Sequence, residues 1–143
     1  MTVAQIVLDT NVLLAGLRSR RGASFRLLSV IGHSAKFEIN LSVPLVLEYE
    51  DVAKRKSKEL GLTHQDIDAI LDYLCAVGNH REIFYLWRPL LTDPKDELVL
   101  ELAVAGGCES IVTFNARDFG AATQFGIGVE SPQSFLRRIG EVE

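Results

Sequence analysis

Short apolar strands alternating with stretches of helical periodicity predict an α/β fold built on a parallel sheet. Three observations carry this expectation. Residues 4–8 form a compact apolar run that stops at Asp9, the pattern of a buried strand. A helical stretch at 95–105 is closed by Gly106-Gly107 and leads into a second apolar run, Ser110-Ile-Val-Thr-Phe114. Between them lie two further alternations of strand-like and helix-like segments, with no repeat, low-complexity tract or linker, so residues 1–143 are expected to form a single domain.

In chain order, the strand at 4–8 is followed by helical stretches at 11–18 and 23–32, separated by Gly22 and the arginine-rich segment 18–21. Residues 36–41 alternate apolar and polar, as a strand does. Ser42 and Pro44 then provide a cap and a first-turn proline for a helix to about Lys56. A second long helix is expected over 64–77 and a strand over 82–87. Asp93-Pro94 opens the helix at 95–105, which places Val99, Leu102 and Ala103 on one face. After the strand at 110–114 come a turn at Asn115–Asp118, a short strand at 127–130 and a closing helix at 132–139.

Charge and composition narrow the function. A net charge of −4 argues against a protein that coats nucleic acid through a basic surface, yet is compatible with a nuclease whose carboxylates hold metal. No apolar run approaches the roughly 20 residues of a membrane span, and no secretory signal is expected. Cys75 and Cys108 lack metal-type spacing and are expected to be reduced thiols in a cytoplasmic protein.

The acids are the informative residues. In open α/β sheets, sites form in the crevice beyond the carboxyl ends of the strands. Asp9 ends the first strand, Asp118 lies four residues beyond Phe114, and Asp96 sits in the first turn of the helix leading into that strand. Glu48 lies in the helix after the second strand, although Glu50 borders the same apolar stripe of Leu45, Tyr49 and Val52, and periodicity does not choose between them. Two carboxylates about 4 Å apart repel by roughly 4 kcal/mol at an effective dielectric of 20, so a cluster of them calls for a compensating cation. Hard divalent ions such as Mg²⁺ or Mn²⁺ suit oxygen ligands and phosphate substrates, and can activate water against a phosphodiester. Each acid also has a plain structural reading: Asp9 or Asn11, Asp93 with Asp96, and Asn115 with Asp118 could serve as helix or turn caps.

Val7-Leu-Asp9-Thr10-Asn11-Val-Leu13 resembles the opening motif of the PIN-domain family. Ser42-Val-Pro-Leu-Val-Leu-Glu48 resembles the helix that supplies that family's second acid. Asp93-Pro-Lys-Asp96-Glu97, followed by Ile111-Val-Thr113-Phe114-Asn115-Ala-Arg-Asp118, resembles its C-terminal motif. The resemblance spans nearly the whole chain and implies a three-layer α/β/α sandwich with a central, mostly parallel sheet. It implies that Asp9, Glu48, Asp96 and Asp118 line a Mg²⁺ or Mn²⁺ site, choosing Glu48 over Glu50. Thr113, Asn115 and Asn11 are implied as supporting or water-positioning residues, and Asp93 is expected to be a cap. Phe114 and Glu97 depart from the family's usual small or polar residue and Asp or Asn, which bears on substrate preference rather than on the ligand set.

The implied activity is metal-dependent endonucleolytic cleavage of RNA. Many stand-alone PIN domains of this size are similar to the toxin halves of bacterial toxin–antitoxin pairs, a resemblance that implies a cognate antitoxin and a homodimer. The competing reading is a catalytically silent PIN-fold binding module, which the presence of all four acids disfavours. A phosphotransferase with an aspartyl nucleophile after the first strand is disfavoured by Asn11, where a second Asp is needed. Arg18, Arg20, Arg21 and Arg26 read first as a solvated face and secondly as phosphate contacts, and Lys54–Lys58 as a solvated helix end. His33, His64 and His80 read as surface or capping residues, and Tyr85 and Trp87 as core or interface.

Overall fold

Among the described residues, the apolar run that ends at Asp9 is the middle strand of a five-stranded sheet in which every pairing is parallel. The structure, a computed structural model, describes residues 3–83 and 91–141. Strand β1 (Ala4–Leu8) pairs with β2 (Phe37–Leu41) on one side and β4 (Ser110–Val112) on the other. The outer strands are β3 (Asn79–His80), beside β2, and β5 (Gly128–Glu130), beside β4, so the order is β3-β2-β1-β4-β5. Ile6, Val7 and Leu8 are at most 2% exposed, because a strand in the centre of a parallel sheet is covered on both faces.

Helices pack around this sheet as an α/β/α sandwich. Helices α1 (Thr10–Arg18) and α2 (Ala23–Val30) pack on each other and follow β1. Gly16 is what lets them meet, since a Cβ at that position would collide with the Leu28 side chain. Helix α3 (Val43–Arg55) opens with Ser42 accepting a hydrogen bond from the Leu45 amide, followed by the short α4 (Ser57–Leu60). Helix α5 (His64–Val77) starts at a reciprocal capping box between Thr63 and Asp66. Helix α6 (Pro94–Ala105) crosses β1, β2 and β4, and α7 (Pro132–Ile139) closes the chain against α2.

Several expectations shift in detail. Strand β3 at Asn79–His80 was not expected, and residues 84–87 of the strand expected at 82–87, with Tyr85 and Trp87, lie outside the described residues. The strand expected at 110–114 stops at Val112, and the turn at Asn115–Asp118 extends into a 3-10 segment, Ala116–Phe125, that kinks at Phe119. Helix α6 is not amphipathic: Glu97, Val99, Leu100, Glu101, Leu102 and Ala103 are all buried. At the end of α3, Lys54 bridges Glu50 (3.1 Å) and Asp68 (2.7 Å), while Arg55 pairs with Asp51 (3.0 Å) on the exposed face and Lys56 and Lys58 are exposed. His64 begins α5, and the His80 ring reaches the Cys75 carbonyl at 2.7 Å. Both cysteines are free. No helix among the described residues is long and apolar enough to cross a membrane.

Candidate active site

The strand order reverses direction at β1 and β4: from β1 the chain builds outward through β2 to β3, and from β4 outward to β5. Such a switch point leaves a crevice at the carboxyl ends of the two strands, because the connections leaving them go opposite ways. Asp9 directly follows β1 and Thr113 directly follows β4. Asp9 is 9% exposed and caps α1, one carboxylate oxygen accepting from the Thr10 amide at 2.8 Å and the other from the Thr113 hydroxyl at 2.7 Å. The cap reading and the site reading of Asp9 therefore both hold.

Thr113 is the hub of this small network. Besides donating to Asp9, its hydroxyl accepts from the Asn115 amide at 2.9 Å and from Asn11 Nδ2 at 3.4 Å. Asn11 Oδ1 in turn accepts from the Phe114 amide at 3.4 Å. Thr113 is 1% exposed, so its hydroxyl has no water to fall back on and holds the two strand ends in register. Beneath them Tyr49, 2% exposed, donates its hydroxyl to the Leu8 carbonyl at 2.5 Å. Burial, then the nearby Asp9 charge, pushes that phenol up, so it stays a neutral donor. Tyr49 had been legible only as part of an apolar stripe.

Asp96 and Asp118 both line a cleft of about 470 Å³, together with Leu91, Thr92, Asp93, Arg117 and Gly120. Asp93 is the N-cap of α6, accepting from the Lys95 amide at 2.9 Å. Asp96 is raised to about 6, first by burial, then by the charges of Asp9, Asp93, Asp118 and Glu97. Asp9 is raised as well, chiefly by burial, with Asp118 and Asp93 adding repulsion against the lowering hydrogen bonds from Thr113 and Thr10. Three of the four acids singled out in the sequence, Asp9, Asp96 and Asp118, thus share one electrostatic neighbourhood, and Asp93 belongs to it too.

Glu48 stands apart from that group. Its side chain is 12% exposed and pairs with Lys95 at 3.4 Å, one residue before Asp96, and its charge is not among those that raise Asp96. Glu50, by contrast, is bound to Lys54. Among the described residues no three His, Cys, Asp or Glu side chains stand close enough to hold a metal ion as placed. The chemistry of the donors nevertheless fits one: oxygen-only carboxylates that repel each other at the mouth of a polar cleft are what a hard divalent cation relieves. Glu97, one of the two departures from the resembled motif, is 6% exposed and accepts from the Leu91 amide, tying down the chain that enters α6.

A PIN-domain family model matches residues 5–117, and the chain belongs to the PIN-domain family, a nuclease-type fold whose members typically use divalent metal ions. The match runs from β1 to the residue before Asp118. No curated protein sequence matches the chain significantly.

Proposed function

We propose that the protein is a metal-dependent endoribonuclease, formed by residues 1–143 as one PIN domain. The observation that carries this reading is the mutual repulsion of Asp9, Asp93, Asp96 and Asp118 at the switch-point crevice. A structural cluster of caps has no use for that cost, and a site for Mg²⁺ or Mn²⁺ does. Asp9, Asp96 and Asp118 would hold the ion, with Glu48 joining on release from Lys95. The bound ion supplies positive charge against a phosphodiester and acidifies water.

The chain's own residues do the positioning. Thr113, with Asn11 and Asn115 around it, fixes the Asp9 carboxylate between β1 and β4. Asp93 holds the first turn of α6 so that Asp96 faces the cleft. Arg117, in the same lining, offers a guanidinium to a non-bridging phosphate oxygen.

The finer assignment is a toxin of a toxin–antitoxin pair, acting in the cytoplasm as a homodimer and restrained by an antitoxin that covers the acidic cleft. Val43 and Leu47, one turn apart on α3 and 71% and 57% exposed, are the apolar pair a second copy would cover.

Incubation of single-stranded and structured RNAs with Mg²⁺, Mn²⁺ or EDTA, beside Asp9→Asn and Asp96→Asn, tests the activity. Cleavage should require metal and fall by at least about 100-fold in either variant. Full activity in a folded Asp96→Asn protein sinks the assignment. A folded wild-type chain that cuts nothing under either metal favours the silent binding module instead.

A further inference from the structure

A second cleft, of about 480 Å³, opens beside the acidic one and has opposite chemistry. It is lined by Arg18 and Arg21, by Gly22 and Ser24 at the start of α2, and by Phe114. The segment 113–118 serves both clefts, sending Phe114 into this one and Arg117 and Asp118 into the acidic one. Helix α1 likewise begins beside Asp9 and ends here at Arg18.

Four features of this cleft lack a purpose in the fold itself. Gly22, whose φ of +91° suits glycine, is the N-cap of α2, and no side chain among the described residues caps the helix. Its first amides therefore point outward with the positive end of the helix dipole, a ready anion site. Ser24, in the first turn, is 5% exposed, and its Oγ has no hydrogen-bond partner among the described residues, which is costly to maintain without a ligand. Arg21 is exposed and makes no ion pair among the described residues, whereas Arg18 is held by Glu59 at 2.8 Å. Phe114 is 52% exposed, although its backbone is pinned by Asn11 and its neighbours Thr113 and Asn115 belong to the hydrogen-bonded hub.

We propose that this cleft is a subsite for single-stranded RNA, one nucleotide of the chain lying beside the carboxylates. A backbone phosphate sits at the start of α2, bonded by its amides and the Ser24 hydroxyl and paired with Arg21. The adjoining base stacks on the rigidly mounted Phe114 ring. A duplex cannot offer an unstacked base face, so the aromatic selects single strands, whereas the arginine and helix terminus contribute only charge. The subsite rests on the ribonuclease reading above and explains why a large aromatic stands between Thr113 and Asn115.

Binding and cutting separate the two ideas. Fluorescein-labelled octaadenylate and a labelled duplex RNA are titrated with the full chain in EDTA and followed by anisotropy, and cleavage is scored in parallel with Mg²⁺ and Mn²⁺. Octaadenylate should bind at least about tenfold more tightly than the duplex, Phe114→Ala should remove about tenfold, and Phe114→Trp should restore it. Arg21→Ala should reduce the slope of log affinity against log salt by about 0.7, the loss of one single-strand phosphate contact. Both substituted residues are exposed, so unchanged melting curves are expected. Wild-type chain that fails to bind octaadenylate, or Phe114→Ala and Arg21→Ala proteins that bind like wild type, overturns the subsite even if RNA is cut. Binding that falls in both variants, in a chain that cuts nothing with either metal, upholds the subsite and overturns the nuclease.

Discussion

Asp96 carries a pH signature of the acid cluster. Its carboxyl is raised from 3.8 to about 6, so between about pH 4 and 6 the folded, metal-free chain binds more protons than the unfolded one. Stability must therefore fall as pH rises through that window. Asp96→Asn should raise the melting temperature at pH 7 in EDTA and flatten the profile between pH 4 and 6, with a residual slope left by the raised Asp9. Thermal melts across that range check the sign, and an Asp96→Asn protein less stable than wild type at pH 7 contradicts it. Thr113 makes a prediction of the other kind. Thr113→Val keeps the shape but removes the donor to Asp9 and the acceptor for the Asn115 amide, and should cost about 1–3 kcal/mol in urea unfolding. Thr113→Ser should recover most of it. Asp9, Asp96 and Asp118 were legible because each stands at the end of a strand or the start of a helix, where periodicity points to the crevice. Tyr49 was not, because a hydroxyl inside an apolar stripe looks the same in sequence whether or not it reaches a carbonyl 41 residues away.

Among the elements, helices with local punctuation were read most closely. The segment 64–77 coincides with α5, whose capping box is written within four residues, Thr63 to Asp66. Strand β3 was not foreseen because Asn79 and His80 present no apolar alternation; their place is decided by the backbone of Asn40 and Leu41 on β2. Helix α6 looked one-faced because Glu97 and Glu101 count as polar in any periodicity, yet both are buried where the helix meets the sheet on one side and α3 and the 3-10 segment on others. The α1–α2 contact was invisible for a simpler reason: Gly16 in a helix reads as a weak point until Leu28 is seen filling its space. Gly16→Val should destabilise the chain by about 1–3 kcal/mol with helix content retained, measured by urea unfolding and circular dichroism. An unchanged midpoint there would mean that the two helices are free to separate.

For the molecule as a whole, the alternation of strands and helices foretold a parallel sheet, whereas the strand order depended on crossovers that no local pattern records. That order is what brings the ends of β1 and β4 together and gathers the acids. Metal should therefore act on the whole fold: an ion that binds only the native state at 100 times its Kd adds about 2.7 kcal/mol of stability. Mg²⁺ or Mn²⁺ should raise the melting temperature of the wild-type chain and leave an Asp96→Asn/Asp118→Asn double variant unmoved. A shift of equal size in both would place the ion elsewhere.

The central position of β1 also sets a timetable. Asp9 and Thr113, whose side chains join the two strand ends, are separated by 104 residues. At ordinary synthesis rates on the order of 5–20 seconds pass between their emergence from a ribosome. During that interval one edge of β1 lacks its partner strand β4 and the crevice has a single wall. A half-made chain has no assembled acid cluster, so the candidate site stays incomplete until its last motif has been translated. The same delay leaves the apolar residues of β1 open to wrong pairings for just as long.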